Sequence, residues 1–328
     1  MADFNQAPPL EDVDLFTSNR PLVEATDRAG AGWVAPRAAE LGRLAGGEGL
    51  RLGFQANENP PRLHTHDRYG NRIDEVEFHP SWHALMRIGV AAGLHALPWR
   101  TARPAAHAAR AALYMTAIQA EAGFGCPLTM TFSAVAALRA DGDLADEWEP
   151  LLTSTDYDPR LVSPAEKGSA ICGMAMTERQ GGSDVRANTT AAVSLAADGE
   201  YALTGHKWFC SAPMSDLFLV LAQTPAGLSC FLMPRVLADG TRNRFHLQRL
   251  KDKLGNRSNA SAEVEFDGAW ARLVGPVGRG VATIIEMVGH TRSTARSGPP
   301  AACAGPWPRP STTPPTGPPS AAPSSRRR

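Results

Sequence analysis

Read for its alternation of apolar and polar positions, the chain changes period twice. From the start to about residue 165 the repeat is helical. Residues 81–97, SWHALMRIGVAAGLHAL, set Trp82, Leu85, Met86 and Val90 near one face at spacings of three and four, the pattern of a half-buried helix. Residues 101–123 are alanine-rich, with Leu113 and Ile118 on a packing face and Gly123 as a stop. A third helix is predicted to begin after Pro127 in CPLTMTFSAVAALRA, because a proline near a helix start gives up no bond it needed. Between Arg20 and Leu52 the pattern predicts helix only in part. The expectation for residues 1–165 is a bundle of antiparallel helices joined by loops.

From about 166 to 277 the period shortens. The runs SAICGMAMT, TTAAVSL, GEYALTGHKWFCS, LFLVLAQT, GLSCFLMPR and ASAEVEFDGAW are short, rich in β-branched and aromatic residues, and separated by Gly, Asn, Asp or Pro. Such spacing predicts a small antiparallel barrel or sandwich, with Asp198 and Gly199 as a hairpin turn. The fold class expected is therefore α+β and multidomain. At residues 278–292 the helical period returns, with Val281, Ile284, Ile285 and Val288 in a buried stripe. Residues 293–328 then use only Ser, Thr, Ala, Arg, Gly, Pro, Cys and one Trp, with ten prolines. A stretch of that composition buries too little to fold, so a disordered tail is expected.

Composition narrows the function classes. The 328 residues carry 33 acidic and 33 basic side chains, so bulk charge asks for neither nucleic acid nor an anionic membrane. Cys126, Cys172, Cys210, Cys230 and Cys303 are odd in number and form no CxxC pair, which argues against a disulfide framework and fits a reducing cytoplasm. The N-terminus lacks a signal-peptide core, and no stretch reaches the roughly 18 apolar residues of a spanning helix. His64 with His66, and His79 with His83, have no carboxylate or cysteine cluster at ligand spacing, so they are expected as surface or core histidines and no metal site is expected. Neither common nucleotide-binding glycine loop is present, nor a GxSxG elbow.

Three motifs remain. GMAMTERQGGSDV, residues 173–185, places Thr177, Glu178, the pair Gly181 and Gly182, Ser183 and Asp184 in one turn; GHKWFCS follows at 205–211 and KLGNRSNASAEVEF at 253–266. Taken singly, each has a plain reading. Glu178 is expected to be structural, Asp184 to fix the turn by bonding backbone amides, and Lys207 to be a solvated strand residue. Trp208 and Phe209 are expected on opposite strand faces, one of them only packing.

Together, in this order, the motifs resemble those of the acyl-CoA dehydrogenase family. Arg179 and Gln180 stand after Glu178 where the commonest form has proline; with FHPSWHALM, CPLTMTF and RLKDKLGNRSNAS, this is similar to the AidB-like, DNA-alkylation-response branch. The resemblance runs from the N-terminus to Arg292 and stops at Ser293. It implies an N-terminal helical domain (1–165), a middle β domain (166–277) that contacts FAD and acyl-CoA, and the start of a C-terminal helix (278–292). It implies that Thr177 and the backbone of Met174, Ala175 and Met176 lie along the flavin, that Phe209, Cys210 and Ser211 cover its other side, and that Gly181 and Gly182 let Ser183 reach cofactor phosphate or the acyl-CoA. Arg257 is implied as a structural or ligand-facing cation.

The activity implied is α,β-dehydrogenation of an acyl-CoA thioester with hydride passing to the flavin, in a cytoplasmic homotetramer. The family's catalytic glutamate comes from a C-terminal helical domain, and no residue here is matched to it; Glu286 is the last acidic residue. In the AidB branch that domain is also associated with DNA, for which Arg326, Arg327 and Arg328 would give only nonspecific attraction. The expectation is thus a flavoenzyme truncated or frameshifted near Ser293. The alternatives are a DNA-associated flavoprotein with secondary dehydrogenase activity and an inactive product.

Overall fold

The computed structural model describes residues 10–304, with side chains described to Ser297. In chain order its elements are α1 (Arg20–Arg28), α2 (Ala35–Leu44), α3 (Leu50–Glu58), β1 (Arg62–His66), β2 (Arg72–Glu77), α4 (Pro80–Ala91), α5 (Leu97–Arg100), α6 (Ala106–Ala117), α7 (Gly125–Leu138) and α8 (Gly142–Leu152), followed by β3 (Cys172–Ala175), β4 (Ala191–Ser194), β5 (Glu200–Ser211), β6 (Leu217–Thr224), β7 (Gly227–Pro234), β8 (Phe245–Leu250), β9 (Ser261–Val274) and α9 (Gly280–Ala304).

Local chemistry sets the helix starts. Asn19 caps α1 by accepting from the Leu22 amide, and Asp141 caps α8 by accepting from that of Leu144, each satisfying a donor the helix leaves open. The ring of His79 does the same for α4, where Pro80 opens the first turn. The predicted face of α4 is the buried one: Trp82, Leu85, Met86 and Val90 join Leu113, Phe124 and Leu128 in the helical core. Helix α7 starts at Gly125, slightly earlier than expected, with Pro127 inside its first turn.

A hairpin interrupts the expected all-helical region. Strands β1 and β2 pair antiparallel, and the Asp67 carboxylate closes their turn by accepting from the amides of Tyr69 (2.8 Å) and Asn71 (2.9 Å). This hairpin leans on the β region: Arg72 donates to the Leu247 carbonyl at 3.0 Å and Asp74 accepts from the Leu247 amide at 3.0 Å. Its alternation is mostly exposed, so no apolar stripe announces it.

Strands β6, β4, β5, β9 and β7 pair in a cycle that returns to β6, with β3 added beside β6 and β8 beside β9. Closure removes sheet edges and encloses a core of Leu203, Phe218, Phe231, Phe245, Val264 and Phe266. The β3–β6 and β4–β6 pairs are parallel, which departs from the expected antiparallel pattern; the chain passes from β3 to β6 by way of two other strands, so it can return in the same direction. Gly199, at φ +75°, turns the chain between β4 and β5.

The outer face of β3, β6 and β7 packs on α7, α8 and α9 through Leu219, Leu221, Leu232, Leu138, Trp148, Ile284 and Met287. Helix α9 does not stop where composition changes at Ser293; it continues through Ala304. Thr294 is buried there, and its hydroxyl accepts from Arg110 of α6 at 2.9 Å. Tertiary contact thus carries residues 293–304 in a helix, correcting the expected tail boundary, while residues 305–328 lie outside the described residues. Of the predicted stripe, Ile284 is buried but Ile285 is half exposed. Among the described residues, no helix is long and apolar enough to cross a membrane.

Candidate functional site

The stretch GMAMTERQGGSDV runs along β3 and leaves the sheet at Thr177, whose carbonyl accepts from the Trp208 amide of β5 at 2.8 Å. Glu178 is the anchor of the turn that follows. Its carboxylate is fully buried and accepts five hydrogen bonds: from the amide (2.6 Å) and hydroxyl (2.9 Å) of Thr189, the amide (3.0 Å) and hydroxyl (2.6 Å) of Thr190, and Lys207 Nζ (2.8 Å). Burial pushes this carboxylate up, but the Lys207, Thr189 and Thr190 bonds outweigh it and carry the pKa to about 2. Lys207 is itself 1% exposed and also donates to the Leu221 carbonyl at 2.8 Å. Its burial lowers the ammonium to about 8, against the opposing pull of Glu178.

Two expectations are corrected here. Lys207 is not solvated; it sits inside the barrel wall as the counter-ion of Glu178. Asp184 is exposed, and its side chain makes none of the bonds that hold the turn. Those come from Glu178 and from Asn188, whose amide donates to the Met176 carbonyl at 2.8 Å. The glycine pair has distinct reasons: Gly181 adopts φ +121°, and a Cβ on Gly182 would stand 2.8 Å from the Thr177 hydroxyl.

Beside this strand end lies a cavity of about 410 Å³, within the range of small-molecule sites. One wall is Met174, Met176 and Thr177 with Phe209 and Ser211 of β5; the other is Tyr114, Cys126, Thr129 and Met130 of the helices, and Thr291 and Ala295 of α9 close it. None of the lining side chains is acidic or basic. Burial pushes the Cys126 thiol up, with Lys253, Asn259 and Ser211 acting the other way, and burial likewise raises the Tyr114 phenol. The site therefore offers uncharged hydroxyls, a thiol and apolar faces, the surroundings suited to a large planar polar ring that must be kept from water.

The expected residues divide. Met174, Met176, Thr177, Phe209 and Ser211 line the cavity. Ala175 and Cys210 alternate away into the barrel core, so only their backbone is available to a ligand. Gly182 and Ser183 are exposed on the turn, outside the lining, and Arg257 belongs to a second, smaller cavity. Trp208 and Phe209 do not lie on opposite faces: a bulge in the β5–β9 register after Lys207 brings both rings around Lys251, whose ammonium is 3.5 Å and 4.6 Å from their centres.

The turn KLGNRSN is tied to the same cavity. Ser258 donates to Glu121 at 2.8 Å, and Glu121 also accepts from the amides of Gly123 and Phe124, ordering the approach to α7. Sequence reasoning missed Glu121; a carboxylate just before a helix start was the available signal. The histidines have ordinary partners: His64 meets Glu77 at 2.7 Å and His83 meets the Tyr157 hydroxyl at 2.9 Å.

Comparison with known proteins gives the family and the fold. Residues 5–159 match the model of the adaptive response protein AidB N-terminal domain, and residues 173–269 that of the acyl-CoA dehydrogenase middle domain. The chain is 50% identical over 292 residues to the putative acyl-CoA dehydrogenase AidB of Escherichia coli K12, covering 88% of this chain and 54% of that protein. Its fold is similar to that of Caenorhabditis elegans ACDH-11 in complex with C11-CoA, with a TM-score of 0.80, 29% identity, and coverage of 92% and 53% of the two chains. A glutaryl-CoA dehydrogenase of Mycobacterium smegmatis in complex with FADH2 shares the fold at 19% identity and a TM-score of 0.54, covering 67% of this chain and 54% of that one. The chain spans about half the length of the curated relatives it matches.

Proposed function

From the chain's membership of the acyl-CoA dehydrogenase family, in its AidB-like branch, we propose that the cavity between β3, β5 and α7 holds the flavin of FAD, in an oxidoreductase acting on acyl-CoA thioesters. The observation that carries this reading is the uncharged cavity built on two of the three motifs, with Thr177, Phe209 and Ser211 on one wall. When bound, FAD supplies the hydride acceptor for α,β-dehydrogenation of the thioester.

The chain's own residues bind and orient. Thr177, Ser211 and the backbone of Met174, Ala175, Met176 and Cys210 supply hydrogen bonds without charge, so electron density gained by a ring is stabilised without a fixed counter-ion. Phe209, 51% exposed, offers an aromatic face that a planar ring would cover. Met130, Met174 and Met176 exclude water. Ser183 and Arg257 are exposed and would be available to the phosphates of the ligands. No cavity-lining residue among those described is a carboxylate, so proton abstraction from the substrate is not assigned to this wall.

Purification of the chain followed by absorbance spectroscopy tests the reading. A flavin spectrum is expected, retained on gel filtration or restored by added FAD and perturbed by an acyl-CoA thioester. A colourless preparation that stays without flavin after FAD is added would contradict it.

A further inference from the structure

Helix α9 is seated on the helical domain by a cluster of rings and cations. His107 of α6 and His290 of α9 stack with ring centres 5.7 Å apart and planes 18° apart. Trp99 of α5 meets His107 at 5.6 Å and His290 at 5.4 Å, edge-on to both, and Phe132 of α7 meets His290 at 5.4 Å. One turn further along α9, Arg110 of α6 donates to the Thr294 hydroxyl at 2.9 Å. His290 and Thr294 thus share the face of α9 that turns to α6, while Thr291 and Ala295, one position on from each, close the large cavity. Whatever loosens the ring stack also lifts a wall of that cavity.

The cluster holds more positive charge than negative. Arg110 is buried, rests 3.5 Å from the centre of the Phe132 ring, donates to the Leu94 carbonyl and to Thr294, and leaves Nη2 without a hydrogen-bond partner. Among the described residues it pairs with no carboxylate. Arg139, just past the end of α7, lies over the Trp99 ring at 5.0 Å and is paired with Glu149 of α8. Arg103, one turn before His107, is engaged by the Trp33 ring at 4.5 Å. His95, beside Arg110 and Arg100, is lowered to about 4, chiefly by burial, and stays neutral through the range in which His107 and His290 titrate. Glu286, exposed and one turn before His290, acts on His290 from α9 itself. Burial lowers both imidazoles; His290 and Arg110 add to the effect on His107, whereas for His290 Glu286 opposes it and Arg110 adds to it. Neutral rings stack here at little cost, and two protonated ones would repel each other and Arg110.

We propose that His107 and His290 form an acid-released clasp on α9: uncharged, the two rings hold the helix against α6 and over the cavity, and protonated, they part and let the cavity open. Freed of the stack, each ring binds a proton near its ordinary value of about 6.5, above its value in the closed state. Closure is therefore fully favoured above that pH and is lost as pH falls below it. Glu286 steadies the first proton, on His290, and the second, on His107, delivers the repulsion. The clasp is a property of the chain alone, whatever the cavity binds.

The experiment is hydrogen exchange of the full chain, resolved by peptide and corrected for the intrinsic rate, at pH 7.5 and 5.0, beside His107→Phe and His64→Gln. His107 is exposed, and phenylalanine keeps a ring in the stack while removing its proton; His64, on the β1–β2 hairpin, is the control. In the wild type, the amides of residues 288–297 should open about fivefold more at pH 5.0 than at pH 7.5, with residues 203–210 of β5 unchanged. The increase should vanish in His107→Phe and persist in His64→Gln. Labelling of Cys126, which lines the cavity, by a dithiodipyridine gives a second readout. At pH 5.0 the wild type should react about fivefold faster than His107→Phe, and at pH 7.5 the two should react alike. An equal acid response in His107→Phe and wild type, a parallel rise in β5, or opening of α9 without faster labelling of Cys126 would each overturn the clasp.

Discussion

Strand β3 is held at both ends by a buried lysine–carboxylate pair, and the two ends behave differently. At its exit Glu178 pairs with Lys207 at 2.8 Å; at its entry Asp216 pairs with Lys167 at 2.6 Å. Burial raises both carboxylates. Glu178 has five donors, and its pKa ends near 2; Asp216 has the Lys167 ammonium and the Ile171 amide (2.8 Å), and its pKa is pushed up to about 6. The difference is the supply of neutral donors from Thr189 and Thr190. A lysine opposite a buried carboxylate does not by itself hold its pKa down; the backbone and hydroxyl bonds decide. The firmly ionised pair sits at the end that carries Thr177 and the cavity wall.

That contrast can be broken most forcefully at Lys207. Lys207→Met leaves Glu178 charged and buried without its counter-ion, and urea unfolding should report a loss of about 3–5 kcal/mol; a loss under about 1 kcal/mol would mean the pair does not hold the strand. Asp216→Asn should cost less, about 1–2 kcal/mol at pH 7.5, and its effect should depend on pH. The folded pKa of Asp216 lies above its unfolded value, so its contribution is full in acid and is lost as pH rises through about 6. Between pH 7.5 and 5 the wild type should therefore gain roughly 1 kcal/mol relative to Asp216→Asn. Glu178 runs the other way, its contribution full above the unfolded value and lost as pH falls toward 2, and stability curves of the two sets measured over pH 7.5 to 4 would expose any failure of that opposition. Ser258→Ala removes one of several donors to Glu121, and calorimetric melting should register about 1 kcal/mol; no change would free the KLGNRSN turn from its assigned anchor.

Much of this was legible in the sequence, and the exceptions share a cause. The faces of α4 and α6, the strand runs from 169 onward and the three motifs are local patterns, and they survive folding. Lys207 was misread because its burial depends on Glu178, 29 positions earlier, brought across when the Thr177 carbonyl accepts from Trp208. A period of two placed Trp208 and Phe209 on opposite faces; a bulge, which no pattern of polarity announces, put both beside Lys251. Helix α9 outlasts the change in composition at Ser293 because Arg110, 184 residues away, bonds Thr294. The β1–β2 hairpin escaped because its core-facing apolar pair, Leu63 with Val76, is too short to set a period. Asp184 looked like the turn's anchor by residue type, and Glu178 took that role by position.

The central claim is that the cavity between the strand end and the helices holds a flavin, and its most direct test is a titration of the full chain with FAD by flavin fluorescence and calorimetry, run beside Phe209→Ala and Leu254→Ala. Phe209 lines the cavity and is 51% exposed, while Leu254 is fully exposed and outside it, so neither change should move stability by more than about 0.5–1 kcal/mol. The account predicts one FAD per chain, binding about tenfold weaker in Phe209→Ala and unchanged in Leu254→Ala. FAD binding of equal strength in all three proteins, or no binding by the wild type, would contradict it.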